Sequence, residues 1–303
     1  MWLVKRIKWP LLSVLFCLAC PFSFARSIFL IDDLGAEVLL SQPAKSIVLL
    51  GPNLVESAFA IAAADAIIGV SEYSDFPLAA KKIPRVASYN TINYEQILAS
   101  KPDLIVIWAS GFGADKIQKL RDLGLTVFAS EPQTLADIGQ LLRTLGILTG
   151  HVLLAEQAAT DYEEKLAQLA RQYRQQRPVS VFYQIGHQPM QTLNGQHIVS
   201  DVIRLCGGIN VFAEQPEIAP KVTIEAVIAV NPEVIMAGVS DQKKPAWFDD
   251  WYTWPMITAV KKNQLFIVNS NTMVRHAPRI LEGAKQLCHF LDQVRSSVEV
   301  NVE

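Results

Sequence analysis

Asn93-Tyr-Glu-Gln-Ile-Leu-Ala-Ser-Lys-Pro-Asp-Leu-Ile-Val-Ile107 lines up without gaps on Thr223-Ile-Glu-Ala-Val-Ile-Ala-Val-Asn-Pro-Glu-Val-Ile-Met-Ala237, 130 positions later (223 minus 93). Each copy reads as a polar N-cap (Asn93, Thr223), a short helix with an acid in its first turn (Glu95, Glu225), a proline that stops it (Pro102, Pro232), and an apolar strand. A period this long is no solenoid unit. It implies two similar lobes, each with a buried strand, and a cleft between them.

Outward from the first copy, residues 28–31 and 37–40 flank Asp33-Leu34-Gly35 and read as an opening hairpin. Strands are expected at 45–50, 67–70 and 126–129, and helices at 54–64, 114–123 and 134–145, with loops at 71–77 and 109–113. Around the second copy the pattern repeats: a strand at 179–185, a helix at 198–205 stopped by Gly207-Gly208, a strand at 264–268, a loop at 269–278 and a closing helix at 279–294. Strands alternating with helices mean parallel sheets. Between the two patterns, residues 151–176 contain neither glycine nor proline and are dominated by Ala, Leu, Glu, Gln, Lys and Arg. As one helix this run is roughly 40 Å long, the size of a lobe. The expected fold is therefore α/β, with two small parallel-sheet lobes (26–148 and 178–303) joined by one long rigid helix (149–177) and a ligand cleft between them.

Residues 1–25 belong to neither lobe. Lys5, Arg6 and Lys8 precede an apolar run at 11–20, and Ser23-Phe24-Ala25 has the small-x-small form of a cleavage site. The run is short for a bilayer span, so the reading is a cleaved signal peptide and export to the periplasm; acylation at Cys20 is the alternative. Cleavage removes Cys17 and Cys20 and leaves Cys206 and Cys288 as the one pair, either a disulfide across 82 positions or two buried thiols. It also removes three cations, which takes the net charge from −2 to −5 (−2 minus 3). With no basic stripe, a nucleic-acid partner is excluded.

No enzyme signature is present. Gly111-Phe-Gly113 lacks the third glycine of a phosphate-cradling loop, there is no Gly-x-Ser-x-Gly, and His151, His187, His197, His276 and His289 form no zinc-type pair, so neither catalysis nor a resident metal is expected. Trp247, Trp251 and Trp254, spaced by four and three, read as one buried helical face. In parallel α/β lobes ligands bind beyond the carboxyl ends of strands, which selects Tyr73, Tyr89 and Trp108 in the first lobe and residues 184–187 and 269–275 in the second. Aromatic faces there suit a large planar ligand.

Val70-Ser-Glu-Tyr-Ser-Asp-Phe-Pro77, the 95–108 stretch with Lys101-Pro102-Asp103, Cys206-Gly-Gly-x-Asn-Val-Phe212, and Arg275-x-x-Pro-Arg-Ile-Leu281 with Gln286-Leu-Cys288 together resemble the cobalamin-binding branch of the helical-backbone (class III) substrate-binding proteins of ABC importers. The wider family also carries ferric siderophores and haem. The resemblance implies a monomeric, non-catalytic binding protein that holds a corrinoid in the cleft, as cargo rather than cofactor, and delivers it to a permease dimer. It places Tyr73, Tyr89 and Trp108 on the ligand from one lobe, and Ser270, Asn271, Thr272, Met273, Val274 and Arg275 from the other. It makes Glu95 and Glu225 the handles that meet permease arginines, one per lobe. The chain departs from the pattern where a ligand-contacting tryptophan falls on Ala219 and where Tyr89 replaces another, leaving the second wall less aromatic. A haem reading would use Tyr73 and His276, an exposed loop histidine, as axial ligands; a siderophore reading would need several cations, for which only Arg275 and Arg85 are candidates. An exported enzyme or metal chaperone would need a convergent cluster that the sequence lacks.

Overall fold

The computed structural model describes residues 27–88, 90–240 and 243–299. Residues 1–26, with Cys17 and Cys20, and Tyr89 lie outside the described residues.

A hairpin of β1 (Ile28–Ile31) and β2 (Glu37–Leu40) opens the first lobe, and Gly35 turns it in the left-handed region at φ 84°. Then follow β3 (Ile47–Leu50), α1 (Pro52–Ala60), β4 (Ile67–Ser71), β5 (Arg85–Ala87), α2 (Tyr94–Ser100), β6 (Leu104–Trp108), α3 (Ala109–Phe112), α4 (Ala114–Asp122), β7 (Val127–Ser130) and α5 (Asp137–Thr149). The sheet is parallel throughout, in the order β5-β4-β3-β6-β7. After the connecting helix α6 (Val152–Tyr173) come β8 (Val179–Gln184), the small hairpin β9 (Gly186–His187) and β10 (Met190–Gln191), α7 (Ile198–Leu205), β11 (Gly208–Asn210), α8 (Ile224–Val230), β12 (Val234–Val239), α9 (Thr258–Lys261), β13 (Leu265–Asn269) and α10 (Ile280–Glu299). The second sheet, also parallel, runs β11-β8-β12-β13. In both lobes the chain moves outward from a central strand and then returns to its other side. The crevice at that switch, outside the ends of β3 and β6 and of β8 and β12, is where such sheets hold ligands.

The repeated segment folds alike in both lobes, down to its hydrogen bonds. Asn93 Oδ1 accepts from the Gln96 N–H at 3.0 Å, and Thr223 Oγ1 from the Ala226 N–H at 3.3 Å. Both helices end one residue before their proline, on left-handed caps at Lys101 (φ 46°) and Asn231 (φ 43°). The next acid clips each helix-to-strand turn to the neighbouring strand. Asp103 accepts from the Ser46 N–H at 2.9 Å while its own N–H donates to Ser46 Oγ at 3.0 Å. Glu233 and Ser180 make the same exchange at 3.1 and 2.9 Å.

Strands buried on both faces explain the unbroken apolar runs. Ile47, Leu49, Leu104 and Val106 face inward, and Val48, Leu50, Ile105 and Ile107 outward into a separate cluster; Val181 and Met236 face inward in the second lobe, and Phe182 and Ile235 outward. The inward sets of both lobes join into one core through Ala155, Ala159, Tyr162, Leu169 and Tyr173 of α6. Arg143 of α5 fixes α6 by pairing with Glu156 and Glu163. Cys206 and Cys288 form a disulfide that ties α7 to α10. Beside it the buried Arg295 donates to the Cys206 carbonyl at 2.7 Å and the Arg177 carbonyl at 2.9 Å.

Several boundaries differ from expectation. Most of the expected loop 109–113 is the short helix α3, Ala109–Phe112, with Gly113 as its cap. α5 starts at Asp137, because its carboxylate accepts from the Gln133 and Thr134 N–H groups and holds 133–136 as a turn, and it runs on to Gly150. α6 has 22 residues rather than 26, starting after His151.

Candidate functional site

Trp108, the last residue of β6, stands at the switch point, and the turn after it is shaped to receive its ring. A Cβ on Gly111 would sit 2.4 Å from Trp108 Cε3, so only glycine lets the indole lie on the α3 turn. Tyr73 follows β4 in a loop with φ 62°, a backbone state that costs tyrosine about 1 kcal/mol or more, and is 69% exposed. Arg85 fixes this loop by donating to the carbonyls of Ser74, Ala80 and Ile83 at 2.9 to 3.1 Å. It is therefore structural and not a free cation of the cleft.

Facing them is the segment after β13. Asn269 accepts from the Asn271 N–H at 3.0 Å and starts a 3-10 turn over Ser270–Thr272. That turn sorts the expected contacts. Asn271, Val274 and Arg275 join Pro52, Asn53, Tyr73, Trp108 and His276 around an interlobe cavity of about 190 Å³. Ser270, Thr272 and Met273 do not line it. The Ser270 carbonyl accepts from the N–H groups of Met273 and Val274, the Thr272 hydroxyl donates to the Asn269 carbonyl at 3.0 Å, and Met273 is fully buried in the shared core. An exposed loop was expected here; the tight turn instead rotates these side chains inward.

Arg275 reaches the cavity already paired. It donates to Glu56 and to Asp75 of the first lobe, each at 2.8 Å, and Arg279 donates to the same Glu56 at 2.6 and 3.0 Å. Glu56 is only 5% exposed, and Arg279 stacks on Phe76 at 3.9 Å. Burial acts to raise the Asp75 pKa, but the hydrogen bond and charge of Arg275 outweigh it and hold that carboxyl below its usual range. These pairs cross between the lobes, so Arg275, the other expected cleft cation, is a fastener.

Several polar atoms lie buried behind the cavity wall. Asn53 is 3% exposed and neither its Oδ1 nor its Nδ2 has a partner; Trp108 Nε1 and His276 Nδ1 are likewise buried and unpaired. His276, expected to be an exposed loop residue, is buried at 8% exposure, 5.9 Å from the Trp108 ring and 6.3 Å from His197. Desolvation pushes both histidines down to about 4, so both rings are neutral near pH 7. Pro52 and Asn53 directly follow β3 at the switch point, and the strand-end rule applied to that strand would have selected them.

Elsewhere the expected residues separate. Of the tryptophans, Trp251 is buried and donates to Gln184 at 2.9 Å, while Trp247 and Trp254 are half-buried and line a smaller cavity with His187, Met190 and Ile224. His187 stacks on Trp247 at 5.0 Å. The segment Ala246–Thr253 is a 3-10 helix rather than an α-helix, and the three tryptophans pack together on the outer cluster of the second lobe and line that cavity side by side. Glu95 and Glu225 are both exposed, at matching first-turn positions of α2 and α8. The Glu225 carboxyl is held below its usual range by its own backbone N–H and the Thr223 hydroxyl. Among the described residues no group of three or more His, Cys, Asp or Glu could hold a metal, and no helix is long and apolar enough to cross a membrane.

Two lobes on one connecting helix, with a strand-end cleft and no catalytic constellation among the described residues, define a binding-protein architecture. Over residues 47–272 the chain matches the family described as periplasmic binding protein, and it belongs to that family. It is 35% identical over 275 residues to the vitamin B12-binding protein of Vibrio cholerae serotype O1, covering 90% of this chain and 96% of that one. It is 33% identical over 278 residues to the vitamin B12-binding protein of Yersinia pestis, covering 92% and 96%. The crystal structure of the periplasmic vitamin B12 binding protein of Vibrio cholerae superposes with a TM-score of 0.77 at 35% identity, over 83% of this chain and 98% of that one.

Proposed function

We propose that this chain captures cobalamin in the interlobe cleft and delivers it to the permease of an ABC importer, without catalysing a reaction. The observation that carries this reading is the aromatic wall of Tyr73 and Trp108 at the cleft of a chain that resembles vitamin B12-binding proteins over nine-tenths of its length. A corrin ring is broad and flat, and rigid aromatic faces bury such a surface at little entropic cost. Asn271, Val274 and Arg275 bound the ligand from the other lobe, and Tyr89 is assigned to the same wall. Residues 1–25 serve as a signal cleaved after Ala25, and the mature monomer consists of lobes 26–148 and 178–303 with 149–177 as connector. Glu95 and Glu225, both exposed, engage one permease subunit each through charge-assisted pairs with arginine.

Calorimetric titration of the mature protein with cyanocobalamin tests the ligand; no heat and no thermal shift at saturation rejects it. Haem is the second reading, on the observation that Tyr73 and His276 line one cavity. A Soret band on adding haemin, lost in both Tyr73→Phe and His276→Ala, would promote it. Glu95→Ala and Glu225→Ala are expected to leave corrinoid affinity unchanged and to weaken coupling to the transporter; loss of ligand binding in either removes the docking assignment.

A further inference from the structure

The repeat places a surface cavity at the same position in each lobe. Tyr94 and Ile224 are aligned residues, each directly before the exposed acid of its helix, and each lines a cavity, of about 600 Å³ at Tyr94 and about 150 Å³ at Ile224. Their contents differ. The first is a broad groove with Leu98 and Leu123 exposed and Lys119 held 4.4 Å above the Tyr94 ring. The second is walled by Trp247, Trp251, Trp254 and Met190. Trp251 is anchored by its hydrogen bond to Gln184 and Trp247 by its stack on His187, so these walls are set before anything enters.

This second cavity is separate from the one between the lobes. The two share no residue, and the walls of the second pack on the outer cluster of its lobe, whereas Trp108 and Val274 pack on the inner core. Its size suits one large side chain, since pockets that enclose whole ligands run to roughly 300–1,000 Å³. Its rim is acidic. Glu225 follows Ile224, and Asp250, which also lines the cavity, keeps 70% of its side chain exposed. An apolar socket with carboxylates at its edge is complementary to an apolar side chain flanked by basic ones. Tryptophans around a preformed pocket are typical of the few residues that dominate the energy of a protein interface.

We infer that the tryptophan-walled cavity beside Glu225 is a docking socket: it receives an apolar side chain of the permease, carried on the same basic segment whose arginine pairs with Glu225. This rests on the docking reading of Glu95 and Glu225. The carboxylates then steer and orient the permease segment, while the socket supplies the desolvated contact that holds it.

The test is binding of the mature protein to the permease–ATPase complex of its own importer in lipid nanodiscs, read by surface plasmon resonance. Trp247→Ala is expected to weaken that association about ten-fold or more, as truncation of an interface anchor does, and to leave cyanocobalamin affinity unchanged. Ile224→Lys, which puts a cation into the socket from an independent element, should do the same, with thermal denaturation reporting that each variant is folded. If both variants bind the importer within about two-fold of the wild type while Glu225→Ala weakens it, the inference falls and the docking reading stands. If neither Glu95→Ala nor Glu225→Ala weakens importer binding, the docking reading fails and the inference with it. Loss of cyanocobalamin affinity in folded Trp247→Ala would give the cavity to the cargo, and a concentration-dependent dimer abolished by Trp247→Ala would give it to a second copy of the chain. Either result overturns the socket.

Discussion

The two copies of the repeated segment agree in their scaffold and differ at the residue that follows the strand. Both have a side-chain N-cap, a left-handed stop and an acid–serine clip to the neighbouring strand. Yet the alignment that pairs Ile107 with Ala237 pairs Trp108 with Gly238. In the first lobe an indole stands at the strand end against the bare backbone of Gly111. In the second the ring is Tyr183, fully buried from the adjacent strand, and a Cβ on Gly238 would sit 2.4 Å from its hydroxyl. The first copy thus ends in an aromatic at the cleft, and the second in a glycine that makes room for a buried ring of the neighbouring strand. The difference teaches that the repeat fixes strand and helix, while the strand end is free to specialise.

Four changes would break or sharpen that contrast. The largest effect is expected where the lobes meet. Glu56→Ala leaves Arg275 and Arg279 buried without their shared carboxylate, at a cost of about 3–5 kcal/mol measurable by denaturant unfolding. A loss below about 1 kcal/mol would show that the interlobe pairs are surface-like.

The second contrast is titratable, since the buried His197–His276 pair belongs to the second lobe alone. Both folded-state values, about 4, lie below the unfolded value of 6.5, so between these limits the unfolded chain binds more protons than the native one. The stability contributed by the neutral pair is fully present above pH 6.5 and is lost as pH falls towards 4, on the order of a few kcal/mol in all. Equilibrium unfolding against pH should show this slope, and the double variant His197→Gln, His276→Gln should flatten it; equal slopes would remove the assignment.

Third, the two strand ends should respond in different currencies. Trp108→Ala is expected to lower corrinoid affinity by about 2 kcal/mol with little change in melting temperature. Gly238→Ala should cost about 1–3 kcal/mol of stability through the clash with Tyr183. Calorimetry and thermal denaturation on both variants separate the roles, and the reverse pattern would erase the contrast.

The smallest effect probes what the copies share. Asn93→Ala and Thr223→Ala should each cost about 1 kcal/mol, nearly equally, because each removes one N-cap. Unequal losses would mean that the lobes lean on their caps differently.

Much of this was legible in the sequence because it is encoded locally. The repeat with its caps and prolines, the apolar runs and the glycine-free connector all announce themselves within a dozen or so residues. The pairing of Cys206 with Cys288 left one open choice, which the structure decides as a disulfide. What could not be read depends on partners far away or on turn geometry. Glu56 looks like an ordinary helical acid, and only the fold brings it to Arg275, 219 positions on. Met273 looked exposed because its segment has no periodicity, yet a 3-10 turn buries it. His276 becomes a neutral, desolvated group only when both lobes close over it.

The last thirty residues also have a meaning for how the chain is made. Arg275 and Arg279 complete the buried Glu56, Cys288 finds Cys206, and Arg295 satisfies the carbonyls of Cys206 and Arg177, so three separate parts of the molecule wait on the final stretch to be synthesised. A prematurely terminated copy would expose an orphan carboxylate, a free thiol and an open core all at once. The interlobe fastening, the disulfide and the satisfaction of the Cys206 and Arg177 carbonyls therefore all depend on residues 275–295.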